Sequence, residues 1–287
     1  MPDTPGRLCI ITADDFGLHP AVNEAVERAH REGVLTATSL MVGAPAAQDA
    51  ARRARALPHL RVGLHLTLCD GATVLPARQI PDLVDGEGRF HDNMVSAGWR
   101  FFASPRVRTQ LAAEIRAQFA AFARFGLLLD HLDAHKHFHL HPTVLGLALR
   151  IGRDFGLRAV RVPAEPGTAM AGLLTPWFAL MRYRLRRSGM DCNDRIVGVT
   201  DSGGMDETRL LQHLAALPPG VTEIYLHPAT ASGTAIAPAM SGYRHRDELQ
   251  ALLSPAVRTA LSDPTIRCGG YADIAHFRRS SRGTATP

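Results

Sequence analysis

Five histidines fall at alternate positions in one short segment of the chain. The segment reads HLDAHKHFHLH, and its odd-numbered positions are His131, Asp133, His135, His137, His139 and His141. On an extended strand, residues two apart share one face, so we expect these side chains to form a single row. Neutral imidazole is the commonest protein ligand for a metal ion. Solvated histidines on a polar loop are the alternative, but the alternate spacing favours a metal site.

Two adjacent carboxylates follow the first apolar run of the chain. Asp14 and Asp15 stand in TADDFG, directly after the run that begins at Leu8. Neighbouring carboxylates repel each other unless a cation or a shared proton lies between them. A single aspartate at this point would be interpreted as a helix cap. The pair, in a chain that also holds the histidine row, indicates a functional site.

Two further histidines interrupt or end apolar runs. His65 lies in VGLHLTL, and His227 lies in IYLHP, where an apolar run meets a turn. A polar side chain in an apolar strand needs a partner. A hydrogen-bonded core histidine is the alternative interpretation for each of them, and neither would indicate a site alone.

The runs that bear these side chains alternate with amphipathic segments of helical length. This alternation is typical of βα units around a parallel sheet. It predicts one α/β domain over residues 1–287, a distorted or incomplete TIM-like (β/α) barrel, with a doubly wound open sheet as the alternative. The C-terminal ends of the strands in such a barrel lie on one face. The aspartate pair, His65, the histidine row and His227 are therefore expected to converge there.

The apolar runs also predict where the elements lie. Strands are expected over residues 8–15, 36–42, 61–68, 128–134, 159–162, 196–200, 223–226 and 266–268. Apolar residues recur every three to four positions in 105–125, which predicts a long helix. Further helices are expected at 20–31, 46–57, 142–155 and 170–187. Residues 69–104 and 166–194 are expected to be loop or helical insertions near the mouth of the site.

The combination of groups suits metal-assisted hydrolysis. Two histidines, one carboxylate and open positions bind Zn²⁺, Fe²⁺ or another divalent ion, and such an ion lowers the pKa of its bound water. A second carboxylate is then available as the general base, and a distant histidine as the acid for the leaving group. Amides and esters are the natural substrates of such a site.

Composition limits the other classes of function. The formal net charge of +5 is a weak indication of nucleic acid binding and fits an anionic substrate or a membrane surface equally. The cysteines stand far apart, at 9, 69, 192 and 268, so a zinc–thiolate site is not expected. No apolar run is long enough to span a membrane, and no secretory signal is evident. We expect a cytoplasmic protein, and its single lysine beside 31 arginines is typical of a GC-rich bacterial genome.

Both tryptophans lie in segments that mix aromatic and basic side chains. Trp99 stands in MVSAGWRFF, and Trp177 stands in the segment 170–187, which ends in four arginines. A basic amphipathic element can lie at a membrane interface. Loop packing is the alternative for the first segment, and an ordinary barrel helix for the second. If both line the mouth of the site, the substrate bears a lipid and the protein contacts the inner membrane peripherally.

The motifs TADDFG, VGLHLTL, DAHKHFH, LHP and YRHRDEL together resemble those of the YdjC-like carbohydrate deacetylases. The resemblance spans residues 8–275. The segments ATSLMVGAPAA, IPDLVDGEGRF and HKHFHLHPTV resemble most closely the hopanoid-biosynthesis-associated members, called HpnK. In one departure from the family pattern, the familiar His-Pro-Gly motif reads His227-Pro228-Ala229 here.

The resemblance implies a distorted TIM-like barrel and one divalent metal ion, Mg²⁺ or Zn²⁺. It implies Asp15, His65 and His135 as the ligands, with His137 as the alternative to His135. It implies Asp14 as the base that activates the water and His227 as the acid. Further contacts to the ligands or the substrate are expected from Asp133, His137, His139, Arg246, Trp99 and Trp177.

The implied reaction removes acetate from an N-acetylated sugar. The expected substrate is the N-acetylglucosaminyl headgroup of a hopanoid, and soluble chitooligosaccharides such as chitobiose are the alternative. A different class of function is a non-catalytic basic protein that binds anions or lipid, which would need neither the aspartate pair nor the histidine row. No nucleic acid partner is expected, and a homodimer is compatible with the sequence.

Overall fold

A parallel β-sheet that curls into a barrel organises the chain. The computed structural model describes residues 6–231 and 236–283. Its strands are β1 (Arg7–Phe16), β2 (Ala37–Leu40), β3 (Arg61–Leu66), β4 (Leu129–Ala134), β5 (Arg195–Val197), β6 (Gly220–Leu226) and β7 (Ile266–Cys268). They pair in parallel in the order β4-β3-β2-β1-β6-β5, and β7 pairs with the first residues of β1. The expected α/β fold, a distorted TIM-like barrel, is confirmed.

Helices connect the strands and cover the outside of the sheet. They are α1 (Pro20–Glu32), α2 (Ala47–Arg55), α3 (Met94–Ala103), α4 (Pro105–Arg124), α5 (Pro142–Asp154), α6 (Ala169–Arg187), α7 (Glu207–Ala215), α8 (His245–Leu253), α9 (Pro255–Leu261) and α10 (Ile274–Gly283). A 3₁₀ segment, His135–Leu140, follows β4. None of the described helices is long and apolar enough to cross a membrane.

Short irregular segments, rather than a continuous strand, bridge the gap between β4 and β5. The Leu132 N–H donates to the Ala159 carbonyl (3.0 Å), and the Arg161 N–H donates to the Leu132 carbonyl (2.9 Å). On the opposite side, the Val160 N–H donates to the Asp191 carbonyl (3.0 Å). Residues 159–162 therefore occupy the place of the predicted strand without forming a regular one, and they put the fully buried Arg161 side chain inside the barrel.

The loop after β1 turns sharply and is held by α1. Asp15 has a φ of 63° and Gly17 a φ of 95°. A positive φ is uncommon for a residue other than glycine, and such residues cluster at functional sites. The side chain of Asn23 in α1 stabilises the turn, because its Oδ1 accepts the Gly17 N–H (2.8 Å) and its amide donates to the Ala46 carbonyl (3.0 Å).

Gly63 of β3 leaves space for an imidazole from β4. A Cβ atom at position 63 would lie 2.5 Å from the ring of His131. That ring bonds Asp130 through Nδ1 (2.9 Å) and the Ser39 hydroxyl through Nε2 (3.1 Å), and it stacks on Tyr271 with ring centroids 4.5 Å apart. His131 therefore belongs to the interior of the barrel.

The expectation of a single histidine row is wrong. The strand ends at Ala134, and Lys136 and His137 adopt φ values of 52° and 55° within the 3₁₀ segment. Residues two apart share a face only while the backbone is extended. The imidazoles beyond Ala134 therefore point in different directions.

Candidate active site

The side chains at four strand ends converge at one mouth of the barrel. Asp14 and Asp15 lie at the end of β1 and His65 at the end of β3, while His135 directly follows β4 and His227 directly follows β6. All five line one cavity of about 920 Å³. Their convergence follows from the parallel pairing, which brings the C-terminal ends of the strands to one edge of the sheet.

Asp15, His65 and His135 form a buried group that could hold a metal ion. One donor atom from each lies within 4.8 Å of the others. Oδ1 of Asp15 lies 3.1 Å from His135 Nδ1 and 3.3 Å from His65 Nε2. The second oxygen of Asp15, Oδ2, is buried and has no hydrogen-bond partner among the described residues. An unpartnered buried carboxylate oxygen is costly, so the donor set and this oxygen fit a divalent cation.

The pKa shifts of Asp15 and His65 also indicate that a positive charge is stabilised beside Asp15. Burial alone would raise the pKa of Asp15, but the imidazoles of His135 and His65 hold it well below its ordinary value. Burial alone would lower the pKa of His65, but Asp133 above all, and then Asp15, hold it well above its ordinary value. Nearby carboxylates that stabilise an imidazolium create a negative electrostatic potential. The same potential favours the binding of a metal ion.

Asp133 orients His65. Its Oδ1 bonds His65 Nδ1 (2.9 Å), and its Oδ2 accepts from the Ser39 hydroxyl (2.9 Å). His65 therefore presents Nε2 to Asp15, and a carboxylate on the opposite nitrogen is the usual support of a metal-binding histidine. Asp14, His65 and Asp133 also lie close enough to share an ion, but Asp133 already occupies Nδ1 of His65 in this arrangement.

Arg161 connects the carboxylates of the site. It was not identified as a site residue from the sequence. Its guanidinium donates to both oxygens of Asp14 (2.7 and 2.8 Å). It also contacts Asp133 (2.5 Å) and Glu223 (2.8 Å), and its Cζ lies 5.0 Å from the centre of the Tyr225 ring. The sequence held one sign of it, because an arginine within a short apolar run that becomes buried must find acidic partners, although the run does not show which ones.

His227 faces the metal-binding group from the end of β6. Its Nε2 lies 4.0 Å from Asp15 Oδ2, and its buried Nδ1 has no partner among the described residues. Helix α8 holds the backbone of His227 from both sides. The His227 N–H donates to Glu248 Oε2 (2.5 Å), and His245 Nδ1 donates to the His227 carbonyl. Burial lowers the pKa of His227 in spite of the nearby carboxylate of Asp15.

The structure separates His135 from His137, which the sequence could not do. His135 lies beside Asp15, whereas His137 lines the cavity with its Nε2 3.4 Å from the Tyr225 hydroxyl. The Nδ1 atom of His137 is buried without a partner among the described residues. Burial, and then the charge of Arg161, hold the pKa of His137 well below its ordinary value. His137 is therefore a neutral group that faces the substrate space.

The last two histidines of the segment lie outside the lining of the cavity. His139 is buried, and its Nε2 donates to the Arg161 carbonyl (3.0 Å). Burial lowers the pKa of His139 to about 4. His141 packs edge-on against Phe101 of α3, with ring centroids 6.1 Å apart. His139 therefore supports the strand-like segment that bears Arg161, and His141 fastens α3 to the start of α5.

Beyond the candidate metal site, the cavity has an apolar wall and a charged rim. The apolar wall consists of Leu18, Met41, Ala44, Pro45, Ile236 and Met240. The charged rim consists of Asp70, Glu87, Arg89 and Lys136, and Lys136 pairs with Asp70 (2.5 Å). The rings of Tyr225 and Tyr243 stand on either side of His227, with centroids 5.5 and 5.2 Å from its own. The space can hold a sugar together with an attached group.

Trp99, Trp177 and Arg246 do not line this cavity, contrary to expectation. Helix α3 turns Phe101 toward the protein and leaves Trp99 on its outer face, 70% exposed. Trp177 is half-buried on α6. The Arg246 Nε donates to the carbonyl of Thr230 (3.1 Å). Within the described part of the chain, the two aromatic segments therefore lie outside the mouth of the site.

Comparisons with known proteins show the family and the fold of this chain. The model of the YdjC-like protein family matches residues 8–263. A carbohydrate deacetylase of Brevibacillus brevis is 30% identical over 92% of this chain and 98% of its own length, and one of Vibrio parahaemolyticus is 30% identical over 92% and 95%. A crystal structure from Enterococcus faecalis, proposed to be that of a cellobiose-phosphate cleavage protein, superposes with a TM-score of 0.75 at 28% identity, covering 93% of this chain and 98% of that one.

Proposed function

This chain belongs to the YdjC-like family, and we propose that it is a metal-dependent deacetylase that removes acetate from an N-acetylated sugar. The proposed ligands of one divalent ion, Mg²⁺ or Zn²⁺, are Asp15, His65 and His135. The observation that carries the proposal is the buried group of these three side chains at the floor of a cavity, with Asp14 and His227 beside it. The carbohydrate deacetylases among its relatives support the substrate class.

The residues around the cavity divide the work of amide hydrolysis. A divalent ion held by Asp15, His65 and His135 would supply Lewis acidity to the hydrolysis of the amide. Asp14 accepts a proton from the water as the water oxygen forms a bond to the amide carbon. His227 donates a proton to the sugar nitrogen as the C–N bond breaks, which leaves a free amine and acetic acid, and the acid ionises to acetate by releasing its proton to water. The burial that lowers the pKa of His227 makes its imidazolium a stronger acid, which suits this donation.

Other side chains hold these groups in place. Arg161 holds the Asp14 carboxylate through two hydrogen bonds, so that Asp14 keeps its position at the cavity. Asp133 orients His65. His137, with the Tyr225 hydroxyl beside it, presents a neutral imidazole to the substrate.

For the substrate we propose the N-acetylglucosaminyl headgroup of a hopanoid. The resemblance of three sequence segments to hopanoid-associated members supports this choice, and so does the apolar wall formed by Met41, Ile236 and Met240. Peripheral contact with a membrane is part of the same proposal. Soluble chitooligosaccharides are the second candidate, because neither tryptophan lines the cavity and its rim bears the charged pair Lys136 and Asp70.

Acetate release measured by mass spectrometry tests both candidates. The purified protein is supplied with an N-acetylglucosaminyl lipid or with diacetylchitobiose, with added metal or with a chelator. We expect metal-dependent release, and faster release from the lipid. Faster release from diacetylchitobiose would instead establish the soluble substrate. Binding without release from either compound, in the metal-loaded protein, would favour the non-catalytic alternative and overturn the proposal.

A further inference from the structure

The charges of the chain are divided unevenly between two parts of it. Residues 94–187 hold 14 Lys and Arg against five Asp and Glu, a formal charge of +9, whereas the rest of the chain holds 18 against 22, a charge of −4. Four of the five acidic residues in the positive part are buried, namely Glu114, Asp130, Asp133 and Glu165. The fifth, Asp154, pairs with Arg116 (2.8 Å). Residues 94–187 therefore contribute almost only cations to the surface, of which Arg106 pairs with Asp82 (2.7 Å) and Lys136 with Asp70 (2.5 Å) from the rest of the chain.

Two neighbouring grooves on this surface are lined by arginines. The groove between α4 and α5 includes Arg108 and Arg150, and the groove between α5 and α6 includes Arg150, Arg153, Arg184 and Arg187. No carboxylate lines either groove within the described residues. These arginines also form no ion pair with any described residue. Their guanidinium groups are free to bind anionic groups from outside.

Apolar side chains stand exposed on two helices of the same part of the chain, α3 and α6. On α3, Val95, Trp99 and Phe102 are 86%, 70% and 61% exposed, and their spacing of four and three residues places them on one helical face. On α6, the exposed apolar residues are Leu173, Leu180 and Tyr183. All large apolar side chains that are strongly exposed in the described chain fall within 94–187. Apolar groups that lie together on a surface mark an interaction site.

Helix α6 is fastened to α5 and, through the residues just before it, to the mouth of the barrel. Arg184 of α6 reaches Gly146 of α5, where a Cβ atom would lie 3.4 Å from its Nη2. Just before α6, Glu165 accepts the N–H groups of Gly198 and Thr200 (both 2.8 Å), on either side of a residue that lines the cavity. The surface formed by α3, α4, α5 and α6 is here called the α3–α6 surface, and its α6 side borders the mouth of the barrel.

We infer that the α3–α6 surface docks on a membrane that contains anionic lipid. The arginines of the two grooves bind the headgroup phosphates, and the apolar faces of α3 and α6 enter the headgroup layer. A second copy of the chain fits this surface poorly, because each would present the same cations to the other. Nucleic acid would leave the aliphatic side chains of Val95 and Leu173 without a partner. The inference takes its purpose from the proposed glycolipid substrate, but its test needs no substrate.

Vesicle binding by the full chain tests the inference. In the variant Trp177→Phe, Trp99 is the only tryptophan, so its emission reports on α3 alone. Vesicles of phosphatidylcholine with phosphatidylglycerol should shift this emission to the blue and sediment with the protein, and added salt should weaken the binding. Vesicles of phosphatidylcholine alone should bind far less. Arg150→Glu with Arg153→Glu should lower binding to the anionic vesicles by about 100-fold, and Trp99→Ser with Phe102→Ser by about tenfold.

A matched pair of substitutions distinguishes an effect of the α3–α6 surface on vesicle binding from an effect of the net charge of the chain. Arg78→Glu with Arg267→Glu changes the charge of the chain equally, at two exposed sites outside residues 94–187, and should bind like the unaltered protein. Thermal unfolding should give similar midpoints for all variants, which verifies their folding. Equal binding by both charge-reversed proteins would overturn the inference. So would a dimer that buries Trp99 without vesicle binding, or salt-sensitive binding to duplex DNA without vesicle binding.

Discussion

Arg161 and the arginines of the α3–α6 surface bear the same charge in opposite surroundings. Arg161 is fully buried and meets the carboxylates of Asp14, Asp133 and Glu223. Arg150 is exposed and has no carboxylate partner among the described residues. Burying an unpaired charge costs far more than leaving it solvated. Arg161 therefore requires one fixed arrangement of its carboxylate partners. The exposed arginines contribute little to the stability of the fold, and they determine which ligands the surface attracts.

The largest expected effect lies at the inner carboxylates. Asp14→Asn should lower turnover by roughly 10²–10⁴-fold while metal content stays near that of the unaltered protein, because Asp14 acts as a base. Asp15→Asn should lose both turnover and metal, because Asp15 is a proposed ligand. Metal content by inductively coupled plasma mass spectrometry, measured beside acetate release, checks the pair. Equal loss of metal from both variants would contradict this division of roles.

The next effect compares the two kinds of arginine directly. Arg161→Met should lower the free energy of unfolding by about 3–5 kcal/mol, since it leaves buried carboxylates without their partner. Arg150→Met should change it by less than about 0.5 kcal/mol. Urea unfolding of both variants provides the measurement. Similar values for the two would mean that the inner network is more hydrated than its burial indicates.

The smallest expected effect is the pH dependence contributed by Glu248. Burial raises the pKa of Glu248 to about 7, although the N–H groups of His227 and Met205 act to lower it. A carboxyl whose pKa is raised in the fold contributes stability below its unfolded pKa and loses that contribution as pH rises through the folded pKa. The unaltered protein should therefore lose up to about 3 kcal/mol relative to Glu248→Gln between acid pH and about pH 8.

Urea unfolding of the unaltered protein and of Glu248→Gln across this pH range measures the difference. A constant difference at all pH values would show that Glu248 titrates at its ordinary value. The same measurement on Asp247→Asn provides the control for removing a carboxylate that is exposed on the same helix.

The convergence of the site could be predicted from the sequence because it depends only on parallel strands. Asp14, Asp15, His65 and His227 each lie at or near the C-terminal end of a predicted strand, and the topology brings such positions together. The directions of the imidazoles after Ala134 could not be predicted. They depend on positive φ angles at Lys136 and His137, and neither residue type signals such a backbone.

The long-range partners of a side chain were the second feature of the site that could not be predicted from the sequence. Arg161 stands 147 residues from Asp14, and nothing near it in the chain indicates which acidic residues it pairs with. The aromatic segments show a third limit, because the phase of α3 decides which ring is buried. Phe101 faces the protein and Trp99 faces outward, and the sequence pattern, interpreted as a loop-rich insertion, gave no helical phase for them.

The effect of a substitution at Gly63 depends on the hydrogen bonds that connect this position to the site, rather than on its distance from the substrate. A methyl group at this position would displace the ring of His131. That ring holds the Ser39 hydroxyl, Ser39 holds Asp133, and Asp133 holds His65, so three hydrogen bonds transmit the displacement to a proposed metal ligand. Position 63 should therefore behave in a mutational survey as a residue of the metal site, although Gly63 is neither a proposed ligand nor a residue that lines the cavity.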